Sequence, residues 1–203
     1  VTEPVGTMIV DIGGGTTEVA VLSLGGTVVS ESLRIAGDEI NDSISSYLKK
    51  NHSMAVGERT AEKIKIKIGS AFPDENFDNT TFEVRGLHLS SGLPRSITLT
   101  SGEVREAMSD PLNKIVDSIK RTLERTPPEL AADIVERGIM LAGGGALIRG
   151  VNDLVTKETG IFTHIAEDPL LCVVNGCGEI LDDFRKLKRI VDTIDVGTTS
   201  VRN

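Results

Sequence analysis

The sequence predicts an α/β fold, a mixed sheet flanked by helices with a small α+β unit inserted, and three features of the chain lead there. Three β-rich runs joined by tight turns occupy residues 8–35. A strand–helix–strand–helix order closes the chain from Gly138 onward. Between them lie helical periodicities and two further β-rich stretches, the order of an α/β domain interrupted near residues 37–98.

Met8–Ile12 is an apolar run ended by Gly13–Gly15. Glu18–Leu24 alternates through Val19 and Val21, and Thr27–Ile35 is β-branched and bounded by Gly25-Gly26. Together they read as an antiparallel meander. Gly37-Asp38 opens a helix with Ile40, Ile44, Tyr47 and Leu48 at helical spacing. Residues 57–70 fit two patterns. Ile64, Ile66 and Ile68 alternate with Lys65 and Lys67 as in a strand, whereas Ala61, Ile64, Lys65 and Ile68 form a helical stripe after the start GERTAEK, which favours helix. Asp74–Asn79 is a polar loop, followed by strands over Thr80–Arg85 and Arg95–Thr100. Ser101 is the expected N-cap of a long helix to Arg125, with Pro111 as a break or restart inside it. Pro127-Pro128 ends that helix and Glu129–Glu136 forms a short one. A second unit follows: strand Gly138–Ala142, glycines 143–145, helix Ala146–Thr159, Gly160 as its C-cap, and strand Ile161–Ala166. A last helix is expected over Val173–Arg189. The resulting organisation is a core of residues 1–36 and 99–190, an insertion of 37–98, and a flexible tail of 191–203.

Composition narrows the function classes. Thirty acidic against 22 basic residues give a net charge of −8, the wrong sign for a protein that coats nucleic acid. The longest stretch without charge is Val19–Ser30, well short of the roughly 20 apolar residues a membrane-spanning helix needs. No basic-then-apolar leader opens the chain, so the expected compartment is the cytoplasm. Cys172 and Cys177, with His52, His88 and His164 scattered, match no zinc spacing and read as buried small hydrophobes. Five Phe, one Tyr and no Trp mean an aliphatic core. Of 21 glycines, six stand in two triplets.

The first triplet lies in Asp11-Ile12-Gly13-Gly14-Gly15-Thr16-Thr17-Glu18, between two strands. Consecutive glycines there let several backbone N–H groups converge, a concavity suited to phosphate. Asp11 ends the first strand at the same spot, where its carboxylate can hold hydrated Mg²⁺, and Thr16 and Thr17 add hydroxyls. A Gly-rich hairpin without chemistry is the plainer alternative. The second triplet lies in Leu141-Ala142-Gly143-Gly144-Gly145-Ala146-Leu147, between a strand and a helix, where a helix N-terminus and bare backbone can meet a ligand. Close strand–helix packing is the alternative there.

DIGGGTTEVAV followed far along the chain by MLAGGGALIRGV resembles the actin-like ATPase superfamily. Within it, GERTAEKIKIKIGSAFP, EVRG, PPELAADIVERGIMLAGGGALIRG and ETGI with AEDPL are similar to the MreB family of bacterial cell-shape proteins, over Val5 to Leu181. The resemblance implies an actin-like, ribonuclease H-like half and a helix over residues 57–70. It implies that Gly14, Gly15 and Thr16 contact the phosphates of ATP or ADP, and that Asp11 holds Mg²⁺ through water. Glu62, Lys63, Ile64 and Lys65 would reach ribose and adenine, and Gly144, Gly145, Ala146 and Leu147 would line the adenosine side.

The family closes two similar halves on ATP, and this chain resembles the C-terminal half. The opposing phosphate loop, the acidic residue that orients the attacking water and the membrane-touching elements are therefore expected elsewhere. The intact protein is expected to hydrolyse ATP as it assembles with itself into filaments. Other cell-shape and cell-wall-synthesis proteins are its expected partners, at the inner face of the membrane. A metabolite kinase or a chaperone ATPase of the same superfamily is the rival reading. No sugar or acetate pocket with its own base stands out for the former, and for the latter a substrate domain would be expected after the last helix. A pure interaction module with relic loops is a third.

Overall fold

The computed structural model describes residues 5–182. Strand β1 (Thr7–Ile12) pairs antiparallel with β2 (Thr17–Ser23), and β2 with β3 (Gly26–Leu33). On its other side β1 pairs in parallel with β7 (Ile139–Ala142), which pairs in parallel with β8 (Thr163–Ile165), giving the order β3-β2-β1-β7-β8. Period two decides which side chains go inside: Met8, Val10 and Ile12 alternate with Thr17, Val19 and Val21 as fully buried residues. The aliphatic core expected from composition is present.

Helix α1 (Gly37–His52) follows the meander and packs on α2 (Glu58–Ile68) and on α3 (Ser101–Glu124). The alternation of Ile64, Ile66 and Ile68 gives way to the helical stripe, because Ala61, Ile64 and Ile68 are all buried on one face of α2. A separate three-stranded sheet orders β4 (Met54–Ala55), β5 (Thr81–His88) and β6 (Pro94–Thr100), with β5 antiparallel to both neighbours. Helix α1 thus lies along α3 as well as along α2.

Four sequence expectations change. The N-cap of α3 is Thr100, not Ser101: Thr100 Oγ1 accepts the Glu103 amide at 3.3 Å and the Glu103 carboxylate accepts the Thr100 amide at 2.8 Å. Ser101 is already helical and buried. Pro111 neither breaks nor restarts the helix, which runs unbroken from Ser101 to Glu124. Met108, Pro111, Leu112 and Ile115 are buried together, and that packing outweighs the one backbone bond the proline removes. The helix expected over Ala146–Thr159 is a 3₁₀ turn (Gly144–Leu147) followed, after a break, by α5 (Val151–Thr159). The break exists because the Arg149 carbonyl accepts the Ala71 amide at 2.8 Å, and Gly150 takes φ +72°. Finally, Cys177 is exposed and Cys172 partly so, because α6 (Cys172–Asp182) buries no side chain among the described residues.

Helix α4 (Pro128–Arg137) leads into β7 through Gly138, and Gly160 caps α5 in the left-handed region as expected. Expectations for the end of the last helix and for the tail lie outside the described residues. Among the described residues no helix is long and apolar enough to cross a membrane.

Candidate functional site

The turn between β1 and β2 is held from behind. Gly13 donates to the Thr16 carbonyl at 2.9 Å, while the carbonyls of Gly13 and Gly14 accept the amides of Gly37 and Asp38 at 3.1 and 2.8 Å. The start of α1 thus occupies the carbonyl side of the loop. Among the described residues the amides of Gly14, Gly15 and Thr16 meet no backbone acceptor, and all three residues are exposed. A Cβ on Gly14 or Gly15 would meet nothing closer than the Asp38 carboxylate, at 3.8 and 3.9 Å. The front of the loop is open, with donors and no side chains. Thr17, in contrast, is buried and donates its hydroxyl to the Ile35 carbonyl at 2.7 Å, so it offers a ligand nothing.

Asp11 stands one residue before the end of β1, directly across from Glu18 on β2 and Ala142 on β7. Burial, and then the Glu18 carboxylate, push its pKa up. No cationic side chain pairs with it among the described residues. A half-buried carboxylate beside another carboxylate is a place where a cation would be stabilised, and in that respect Asp11 fits Mg²⁺. No cluster of three or more metal-ligating side chains exists among the described residues. The ion would therefore take most of its ligands from phosphate and water.

Facing the loop is a cleft of about 610 Å³, within the range of small-molecule sites. Gly13, Gly14, Gly37 and Asp38 form one wall. Glu62, Lys65 and Ile66, one face of α2, form the second. Lys65 Nζ donates to the Gly37 carbonyl at 2.9 Å, and burial pulls its pKa down. That contact ties α2 to the helix start which itself holds the Gly13–Gly15 loop. Gly144, Gly145 and Leu147 form the third wall.

Asp11, Gly15, Thr16, Lys63, Ile64 and Ala146 are not part of these walls. For three of them the helix phase explains it. Lys63 is exposed on a different face of α2, Ile64 is fully buried in the core, and Ala146 is fully buried beneath its turn. The Ile64 side chain in particular cannot reach a nucleotide. Gly143 brings the two triplets together: at φ +80° it leaves no room for a Cβ, which would lie 2.3 Å from Asp11 Oδ1 and 2.4 Å from the Ile12 carbonyl. Wall residues that sequence reading passed over include Asp38, Ile66, Phe77, Arg149 and Leu170. Phe77 sits in a segment read only as polar loop, and Arg149 follows the second triplet inside the quoted motif. An aromatic in a chain with so few was the available signal.

Two glycine loops from the ends of β1 and β7 thus converge on one cleft across a mixed sheet. A sequence profile of the family described as MreB/Mbl protein matches residues 1–189. The chain belongs to the MreB/Mbl family. Cell shape-determining protein MreB of Escherichia coli is 51% identical to it over 182 residues, which are 90% of this chain and 52% of that one. The crystal structure of MreB5 of Spiroplasma citri bound to ADP matches with a TM-score of 0.87 and 38% identity, over 91% of this chain and 56% of that one. The same protein bound to AMPPNP matches with the same score and identity, over 91% and 55%. The MamK double helical filament, at TM-score 0.63 and 23% identity over 81% of this chain and 50% of that one, shares the fold. The actin-like α/β fold expected from the two motifs is therefore the fold of this MreB/Mbl chain. It spans about half the length of the relatives it matches.

Proposed function

We propose that this chain is the C-terminal, nucleotide-gripping half of an MreB-like protein that hydrolyses ATP and assembles with itself into filaments. The observation that carries the reading is the open, donor-lined front of Gly14–Thr16 at the edge of a cleft whose other walls come from α2 and the second glycine turn. MreB5, with a closely similar fold, is described bound to ADP and to AMPPNP, which supports a nucleoside polyphosphate as the occupant.

In this reading the amides of Gly14, Gly15 and Thr16 bind the β- and γ-phosphates and offset charge that develops as water attacks in line. Asp11 holds hydrated Mg²⁺, which, when bound, neutralises phosphate charge. Lys65 fixes the start of α1 behind the phosphate loop, and Glu62 is the wall residue placed to accept from a ribose hydroxyl. The residue that orients the water belongs to the opposing half. Nucleotide state would set the angle between halves and so the filament contacts. Other cell-shape and wall-synthesis proteins are its proposed partners, with contact to the inner face of the membrane made through the other half. The division into a core of 1–36 and 99–190 and an insertion of 37–98 belongs to the same proposal. The separate second sheet supports it. A kinase or chaperone reading gains nothing from relatives described as cell shape-determining proteins.

The test is an amide NMR titration of this chain with Mg-ADP. One half of a clamp leaves the ligand exposed, so the expected dissociation constant is on the order of 0.1–1 mM. Perturbed amides are expected at Gly14, Gly15 and Thr16, and none in Gly15→Val, which circular dichroism should show folded. Folded Gly15→Val that binds like wild type would remove the phosphate-loop assignment.

A further inference from the structure

Arg149 is held more firmly than its exposed position requires. Its guanidinium carbon lies 4.0 Å from the centroid of the Phe77 ring, and Nη1 lies 3.9 Å from Asp74 Oδ2. Its main chain is fixed too: the carbonyl accepts from Ala71, and the residue bridges to Ser70. Gly150 follows, where a Cβ would lie 2.8 Å from Phe72 Cβ. Thus the segment after α2 supplies a ring below the guanidinium, a carboxylate at its edge and a backbone clamp at its root. Both Arg149 and Phe77 line the same cleft as Glu62 and Lys65.

A guanidinium is a flat, weakly hydrated cation with two faces, and Phe77 occupies one of them. More than half of the Arg149 side chain remains exposed (55%). The Asp74 carboxylate at the edge of the guanidinium offsets its charge toward a compact anion. A flat heteroaromatic ring gains from that fixed plane, because it stacks on a surface already immobilised and loses little further entropy. The phosphate donors are at Gly14–Thr16, so the two ends of the cleft suit the two ends of a nucleotide. We propose that Arg149, stacked on Phe77, is the platform on which the nucleobase lies, and that it makes the cleft prefer a purine nucleotide to bare polyphosphate. This rests on the nucleotide reading of the same cleft.

The experiment measures Mg-ADP and Mg-pyrophosphate binding by NMR titration to wild type, Arg149→Ala, Arg149→Lys and Phe77→Leu, with circular dichroism as the fold control. Arg149→Ala should weaken ADP about tenfold, about 1.4 kcal/mol at 25 °C, and leave pyrophosphate unchanged. Arg149→Lys keeps the charge without the plane and should lose nearly as much. Phe77→Leu should lose part. Undiminished ADP binding in Arg149→Ala, full recovery in Arg149→Lys, or equal losses for both ligands would each overturn the platform. Wild type that binds pyrophosphate as well as ADP would overturn it and leave the phosphate loop intact. Wild type that binds neither would remove the nucleotide reading and the platform with it.

Discussion

A single methyl separates the two glycine triplets. On Gly15 it meets only an Asp38 oxygen at 3.9 Å, whereas on Gly145 it falls 2.2 Å from Ile12 Cγ2 and 2.7 Å from Ile12 Cβ. Neither glycine has a positive φ, so the difference is one of space and not of backbone strain. Gly145→Val therefore acts first on the fold, because Ile12 is fully buried at the end of β1 and cannot move aside. A loss of about 1–3 kcal/mol is expected from such overpacking, against little change for Gly15→Val, read by urea denaturation of both. Equal midpoints for the two would contradict it. The sequence made both triplets conspicuous but not their difference, which depends on what a neighbouring strand places opposite each glycine. Helix phase was more readable. Once residues 57–70 are a helix, Ile64 shares a stripe with Ala61 and Ile68 and so faces the core, but Lys65, which the pattern set on that stripe, lines the cleft with Glu62 instead.

At the level of elements, order and type were legible and boundaries were not. Periodicity showed α3, yet Thr100 and Ser101 are equally good caps on paper, and only the register of β6 with β5 decides between them. Thr100→Ala should cost about 1 kcal/mol of stability. Ser101→Ala should cost nothing, since the Ser101 hydroxyl is buried without a hydrogen-bond partner. Thermal melts of the two variants, with a larger loss in Ser101→Ala, would reverse the assignment. The helix expected through Ile148–Gly150 failed because a residue distant in sequence, Ala71, takes the Arg149 carbonyl. Long-range pairing of that kind has no local signature. A second clasp joins β3 to α3: Glu31 accepts from Arg121 at 2.5 and 3.1 Å and from Ser118 at 3.0 Å. The Arg121 hydrogen bond foremost holds the Glu31 carboxyl below its usual range. Its folded value lies below its unfolded one, so the stabilisation is full above the unfolded pKa and fades as pH falls through the folded one. Glu31→Gln should thus be less stable than wild type near neutrality, with the gap closing in acid. A gap independent of pH in denaturation series would show that charge plays no part.

Taken as a whole, and on the nucleotide reading proposed above, the described residues form one face of the cleft. On that reading the phosphate stays open to bulk water, and the group that orients the attacking molecule is proposed to lie in the opposing half. Isolated protein should therefore release phosphate from Mg-ATP no faster than background, and steady release that tracks the monomer and is lost in Asp11→Ala would refute this. What the sequence conveyed at this scale was the class of fold and the two glycine loops of the cleft. The part of the lining made by Phe77 and Arg149 was hidden because it forms only when the loop after α2 folds back across the turn before α5. Helix α6 has a further effect, on how the molecule behaves in a crowd of copies. It carries Val173, Val174 and Leu181 at 60–77% exposure, on a protein whose net charge of −8 makes copies repel one another. That repulsion reaches about 30 Å at 0.01 M salt but only about 3 Å at 1 M. Dilute buffer should keep the protein dispersed, and salt should let these oily helices find each other, so that light scattering climbs with ionic strength and falls back when Val174 and Leu181 are both replaced by aspartate.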